Sequence, residues 1–140
     1  RSPMGEALLA SRLRALGCGT RVSSAGIGAM VGMPADPLSI VLMEEMGLDI
    51  GAHRGRQLDP SRVDAHTLLL VMSDEQRRWI LKRRRDLAGR VARFGRWGEG
   101  DIADPVGRGR QEFEAARDAI VRALDGWCRV WRLDARGGAP

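Results

Sequence analysis

The chain has 140 residues and a mass of 15.3 kDa, with 44% hydrophobic and 29% charged residues, a composition typical of one globular domain and not of a disordered segment. It contains no apolar run of the roughly 20 residues that a membrane helix needs, so no membrane span is expected. Its two cysteines, Cys18 and Cys128, are too few for a disulfide framework, which favours a reducing compartment and a cytoplasmic location.

The net charge of +5 and the pI near 10.8 raise the question of nucleic-acid binding. However, 18 acidic residues are interspersed among the 23 basic ones. The densest basic cluster, Lys82–Arg85, falls at the end of a predicted helix, where cations complement the helix dipole. No aromatic residues interleave it to form a base-stacking surface. The pattern favours a solvated helix end, or docking to an anionic protein segment, and no nucleic-acid partner is expected.

The first half of the chain predicts two helices with a short strand between them. Ser2, followed by a proline, is a candidate N-cap, and apolar residues then recur on one helical face until Gly17. Arg21–Ser24 is a strand candidate. Asp36 precedes another proline and opens a second helix, which Gly47 ends.

The second half predicts two strands and two helices. Thr67–Met72 is apolar on both faces, as a strand buried in a parallel sheet should be. Ser73 with Gln76 three residues later predicts a capping box, at the start of a helix that runs to about Arg85. A weaker strand follows at Arg90–Phe94, and apolar residues spaced by three or four predict a last helix over 113–131.

Strands that alternate with helices predict a single α/β domain in three layers, with a short parallel sheet flanked by helices. We expect this domain over residues 1–134 and a flexible tail over 135–140. Because the sequence opens on a helix start rather than on a strand, we also expect that a first, central strand and most of a ligand-binding loop preceded Arg1.

Two local features contain candidate ligand-binding or catalytic residues. Arg1 lies directly before a helix start, where its forked guanidinium and the free amide groups of the first turn would together bind an anion such as phosphate. Asp104 precedes Pro105, which restrains it to extended geometry, so its carboxyl group is expected to project from a loop as a general acid. Taken alone, the first feature is better explained as an ordinary helix cap and the second as an ordinary turn.

Together with other motifs in the same order along the chain, these features resemble the low-molecular-weight protein tyrosine phosphatases, and the resemblance covers about residues 1–131. In that family a phosphate loop of the form Cys-x5-Arg-Ser is followed by proline and an acidic helix. The matching segments are Arg1–Leu9, Ser24–Gly26, Gly32–Pro37, His53–Arg54, Arg56–Leu58 and Asp104–Pro105. Gly95–Trp97 and the later Asp-Pro resemble the bacterial branch associated with exopolysaccharide and capsule systems.

The resemblance implies a two-step displacement through a phosphocysteine intermediate, with no cofactor and no metal. Arg1 would clamp the phosphoryl group, Ser2 would contribute to the phosphate site by steadying the thiolate, and Asp104 would be the general acid. Asp101 is a candidate auxiliary carboxylate, and Trp97 is a candidate for the substrate mouth.

The family nucleophile would lie six residues before Arg1. Neither Cys18 nor Cys128 has an arginine six positions later, so neither fits the motif. The chain as written is therefore expected to be an N-terminally truncated and inactive form.

The resemblance also implies a phosphotyrosine protein as substrate, with a bacterial tyrosine kinase as the candidate, and a monomer or weak dimer as the oligomeric state. Three alternatives stay open: a catalytically dead remnant that binds phosphate or phosphotyrosine, an arsenate reductase on the same fold, and a basic nucleic-acid-binding domain. The arsenate reductase would need further cysteines in a flexible segment, and residues 80–99 contain none.

Overall fold

The computed structural model describes residues 1–132. The last two residues of the predicted domain and the predicted tail over 135–140 lie outside the described residues. The helices are α1 (Ser2–Ala15), α2 (Pro37–Glu45), α3 (Asp74–Arg83) and α4 (Arg110–Val130), the strands are β1 (Leu69–Val71) and β2 (Val91–Arg93), and two 3₁₀ turns cover Pro60–Arg62 and Arg85–Arg90.

The two strands form a parallel pair in which Leu69 lies opposite Val91. Successive side chains of β1 point to opposite faces, as the period of a strand requires. Leu70 packs against the larger core, which is built mainly from α1, α2 and α4, while Val71 belongs to a second core beside α3. A sheet with helices packed on both faces confirms the predicted α/β class.

The larger core contains apolar residues of three helices together with the ends of the strands. Met4 of α1, Leu42 of α2 and Ile120 of α4 are completely buried. Each lies on a helical face whose apolar residues recur every three or four positions, so burial of these faces brings the three helices together. Over residues 1–132, no helix has both the length and the apolar character needed to cross a bilayer.

The helix starts follow the sequence signals with one exception. Asp36 accepts a hydrogen bond from the Leu38 amide at 2.9 Å, and Ser73 accepts one from the Gln76 amide at 3.3 Å, so both predicted cap residues are confirmed. The predicted capping box is only half present, because the Gln76 side chain accepts from the Met72 amide at 2.8 Å and not from the Ser73 amide. The prediction of Ser2 as N-cap is wrong, because Ser2 is already helical and the cap residue is Arg1, whose side chain makes no capping bond. The Arg1 guanidinium instead reaches the carbonyl oxygen of Ile102.

The predicted strand at Arg21–Ser24 is also wrong. This segment has no strand geometry, and the nearest pairing is a single parallel bridge between Gly26 and Gln57. A strand is defined by a ladder of backbone hydrogen bonds, and the part of the chain that the structure describes gives residues 21–24 no such partner. The predicted strands at 67–72 and 90–94 are present but shorter.

Candidate active site

Arg1 lies at the N-terminus of α1 with its side chain only 15% exposed. Its Nη1 donates a hydrogen bond of 2.7 Å to the carbonyl oxygen of Ile102, which is 101 residues away in sequence. This bond fixes the direction of the guanidinium and ties the start of α1 to the loop that follows β2. The group retains further N–H donors for a ligand, because a guanidinium carries five.

Asp104 lies on that loop, between two buried residues. Ile102 and Pro105 are packed into the interior, whereas the Asp104 side chain is 51% exposed. The Ile102 amide donates to the Met72 carbonyl at 2.8 Å, which fixes the loop to the end of β1. The predicted projection of Asp104 from a loop is therefore present.

The structure brings the two main predicted residues together. Arg1 Nη2 lies 3.4 Å from Asp104 Oδ2. The second Asp104 oxygen accepts a hydrogen bond from the Val106 amide at 3.1 Å, which orients the carboxyl group. A cation that can hold phosphoryl oxygens and an acid that can donate a proton thus share one site.

The start of α1 adds backbone donors beside Arg1. The amides of the first helical turn have no acceptor within the helix, and the aligned peptide dipoles make this end positive. Pro3 has no amide hydrogen, so Ser2 and Met4 supply the free groups of this turn. Arg1 with these amides forms an anion-binding arrangement suited to phosphate.

Asp101 is held by structural contacts. One of its carboxylate oxygens accepts hydrogen bonds of 3.0 Å from Arg93 Nη1 and of 3.0 Å from the Asp74 amide at the start of α3. The hydrogen bond from Arg93 is the main reason that the pKa of Asp101 lies below its usual range, with smaller contributions from the Asp74 amide and from the charges of Arg93 and Arg78. Such a carboxylate stays ionised and braces the loop.

Trp97 packs against α4. Its ring makes an edge-to-face contact with Trp127, with centroids 5.7 Å apart, and the Arg96 guanidinium lies 4.7 Å from its centroid. Its Cβ is close enough to Gly126 that a side chain there would collide with it. The contacts that the structure gives Trp97 are therefore with α4 and its own loop, although the ring remains 42% exposed.

A polar cluster behind the start of α1 was not predicted as a unit. Ser24 donates to Glu6 Oε2 at 2.6 Å, and His53 Nδ1 lies 3.3 Å from the same oxygen. The cluster joins α1 to two loops that are distant in sequence. No local pattern in the sequence indicates that Glu6 is the common partner of Ser24 and His53.

A cleft lies between residues 25–27 and β1. Ala25 and Ile27 line one side, Leu70 and Met72 line the other, and Ser2 borders it. Within residues 1–132, no backbone bridge joins residues 25–27 to β1.

The cysteines lie away from Arg1. Cys18 follows the opposite end of α1, a helix of 14 residues and about 20 Å, and Cys128 is completely buried in α4. Within the described range 1–132, no three His, Cys, Asp or Glu side chains are arranged to hold a metal ion.

Known proteins share this architecture over nearly the whole chain. The family model for low molecular weight phosphotyrosine protein phosphatase matches residues 1–136. A probable low molecular weight protein-tyrosine-phosphatase, EpsP of Ralstonia nicotianae, is 42% identical over 137 residues, which cover 98% of this chain and 90% of EpsP.

Two solved structures illustrate the similarity in three dimensions. The tyrosine phosphatase Wzb from Escherichia coli K30, in complex with sulphate, has a TM-score of 0.83 at 30% identity, covering 94% of this chain and 90% of that one. YwlE arginine phosphatase from Geobacillus stearothermophilus has a TM-score of 0.84 at 27% identity, covering 100% and 90%. With the family model and EpsP in agreement, the chain belongs to the low molecular weight phosphotyrosine protein phosphatase family.

Proposed function

We propose that the protein hydrolyses phosphotyrosine in proteins, with Arg1 as the phosphate clamp and Asp104 as the general acid. The observation that carries this proposal is the 3.4 Å contact between Arg1 Nη2 and Asp104 Oδ2 beside the start of α1. A phosphoryl group held by the guanidinium and the first-turn amides would place its bridging oxygen within reach of the Asp104 carboxyl group.

In the proposed reaction, a cysteine thiolate contributed from ahead of Arg1 attacks phosphorus. The sulfur–phosphorus bond forms while the bond to the phenolic oxygen breaks, and Asp104 gives its proton to that oxygen. Asp104 then takes a proton from water, whose oxygen displaces the thiolate and releases phosphate. The guanidinium and the helix dipole would lower the pKa of such a thiol, which is why a cysteine suits this position.

The 140-residue chain itself is proposed to be inactive, because neither of its cysteines lies at the site. The cleft between residues 25–27 and Leu70 supports an additional strand as the carrier of the nucleophile, since each wall has a backbone partner on its outer side and no bridge joins the two walls to each other within residues 1–132. If the protein from the complete reading frame also lacked turnover but bound phosphate, the alternative of a phosphate-binding remnant would hold.

The relatives EpsP and Wzb are named as tyrosine phosphatases, which supports phosphotyrosine as the substrate class. We propose a phosphorylated bacterial tyrosine kinase of an exopolysaccharide or capsule system as the substrate protein. A reducing cytoplasm fits the two cysteines, neither of which forms a disulfide within residues 1–132.

Asp104→Asn tests the assignment of the acid. In protein expressed from the complete reading frame, this change should lower kcat for aryl phosphates by about 10²–10⁴-fold, since asparagine cannot donate the proton. The loss should be larger for phenols of high pKa than for nitrophenol, which leaves without protonation. Steady-state kinetics over a series of leaving groups measures both effects.

Asp101→Asn is the matched control, because it removes a carboxylate three residues away that braces the loop. It should change kcat much less and without dependence on the leaving group. The opposite result would mean that Asp101 is the acid. Faster hydrolysis of phosphoarginine than of phosphotyrosine would contradict the substrate class, and this assay is needed because a similar structure is an arginine phosphatase.

A further inference from the structure

The excess positive charge of the chain is concentrated in one segment. Between Asp74 and Arg90 lie seven basic and three acidic residues, a net charge of +4 in a chain whose total is +5. This segment consists of α3 and the 3₁₀ turn that follows it. The rest of the molecule is nearly neutral, so the field at this face is the strongest feature of the charge distribution.

Four of the basic side chains in this segment have internal partners, and one of them, Arg90, donates from Nη1 to the Asp64 carbonyl. Arg84 makes two hydrogen bonds to Asp86, at 2.8 and 2.7 Å, and another to the Pro60 carbonyl at 2.7 Å. Arg83 lies 3.7 Å over the ring of Trp79. Arg78, which is 72% exposed, has its Nε 3.3 Å from Asp74.

Three others are available to a partner. Within residues 1–132, the side chains of Arg77, Lys82 and Arg85 make no hydrogen bond or ion pair. Lys82 and Arg85 are exposed, and Lys82 shares a helical face with Arg78 at a spacing of four residues. Cations held together without carboxylate partners repel one another, and an anionic ligand would relieve this repulsion.

This basic surface begins at the active-site loop. The first amide of α3, that of Asp74, donates to Asp101, three residues before the proposed acid Asp104. From Asp74 to Lys82, eight residues of helix span about 12 Å. An extended peptide covers that distance in about four residues.

We propose that the surface formed by Lys82 and Arg85 binds an acidic segment that flanks the phosphotyrosine of the substrate protein, with carboxylates about four residues or more from the phosphorylated residue. This inference rests on the proposed function. It adds a preference for negatively charged residues in the substrate sequence around the phosphotyrosine. A nucleic acid fits less well, because Arg83 already covers one face of Trp79, the nearest aromatic ring of the segment, leaving little for a base to stack on.

Phosphopeptide kinetics test the proposal with protein from the complete reading frame. The acidic peptides carry Asp and Glu at three to five residues before, or after, the phosphotyrosine, and the neutral peptides replace these by Asn and Gln. One acidic orientation should have a kcat/KM about tenfold above its neutral counterpart, because several weak surface pairs act together. The difference should shrink as salt is raised.

Reversing the charge of two residues tests whether this surface causes the preference for acidic peptides. The double variant Lys82→Glu/Arg85→Glu should abolish the preference for the acidic peptide and leave p-nitrophenyl phosphate hydrolysis within about twofold. The matched control Arg14→Glu/Arg21→Glu makes the same change in net charge on exposed residues near the far end of α1, and should preserve the preference. Equal losses in both variants, or no preference in the unmodified protein, would overturn the proposal.

Binding measurements separate this proposal from the proposed function. If p-nitrophenyl phosphate is not hydrolysed, the function fails, while the surface is still tested by fluorescence anisotropy with the unphosphorylated acidic peptide. The Lys82→Glu/Arg85→Glu variant should then weaken binding by about fivefold and the control should not. Tighter binding of duplex DNA than of the acidic peptide at equal salt would assign the surface to nucleic acid and contradict the inference.

Discussion

At the scale of single residues, Arg1 contributes geometry as well as charge. One of its nitrogens donates to the Ile102 carbonyl and another lies beside Asp104, so a single planar group holds two points of the same loop. A guanidinium can do this while offering further donors to phosphate, because its five N–H groups point in fixed directions.

Arg1→Lys should therefore be far from conservative. A lysine retains the charge but cannot reach the Ile102 carbonyl and present a two-donor fork at once, so both phosphate binding and turnover should fall, with kcat/KM lower by at least about tenfold. Inhibition by inorganic phosphate and steady-state kinetics with an aryl phosphate measure the two effects. Arg14→Lys, at an exposed position of the same helix, is the control and should leave both unchanged.

Asp101 predicts a pH dependence of stability. Its pKa is lowered in the folded protein, chiefly by the hydrogen bond from Arg93, so its contribution is present above the unfolded pKa of about 3.9 and is lost as the pH falls through the lower folded value. Urea unfolding should show that Asp101→Asn is less stable than the unmodified protein at pH 7. The difference should narrow below about pH 4, and a constant difference down to pH 2 would contradict this account.

At the scale of elements, α4 is fixed to the loop after β2 by two contacts. Trp127 Nε1 donates to the Phe94 carbonyl at 2.7 Å inside the core. One residue earlier, Gly126 allows Trp97 to approach the helix so closely that an added Cβ would lie 2.7 Å from Trp97 Cβ. Only a residue without a side chain leaves room for Trp97 at this position.

Gly126→Ala should destabilise the protein by about 1–3 kcal/mol, because Trp97 Cβ cannot move without moving its backbone. Gly5→Ala is the matched control, since Gly5 is also inside a helix but its added Cβ would crowd only Met72 Cε, at 2.9 Å and at the end of a flexible side chain, and would lie at ordinary contact distance, 3.6 Å, from Phe94 Cε2. That change should be neutral or stabilising by up to about 1 kcal/mol. Thermal unfolding of both variants measures the two changes in stability. Equal destabilisation would mean that Met72 is as rigid as Trp97.

The elements were predictable where their signals are local. The caps Asp36 and Ser73 act within three residues, so the sequence contains both partners of each bond. The wrong strand at residues 21–24 and the wrong cap at Ser2 have the opposite cause. The pairing of a strand and the direction of the Arg1 side chain depend on segments far along the chain. No local sequence pattern indicates which distant segment will lie next to residues 21–24 or to Arg1.

At the scale of the whole molecule, the sheet separates two apolar cores, and the proposed site lies where both meet the loops. Met72 packs in the larger core, its amide donates to Gln76 of α3 at 2.8 Å, and its carbonyl accepts from Ile102. The sequence could place Arg1 and Asp104 in one site only through the family resemblance, because 103 positions separate them. The contacts of Glu6 with Ser24 and His53 could not be predicted for the same reason.

The contact between Arg1 and Asp104 has a consequence for selectivity. Before any ligand arrives, the guanidinium already faces a carboxylate of its own protein, at 3.4 Å. At the proposed phosphate site, an incoming anion would have to compete with the Asp104 carboxyl group for the guanidinium, and a singly charged anion would replace it with little gain in electrostatic energy. A phosphoryl dianion brings twice the charge and several acceptor oxygens, so it competes well. The proposed site would thus discriminate among anions by charge density before the rest of the substrate makes any contact.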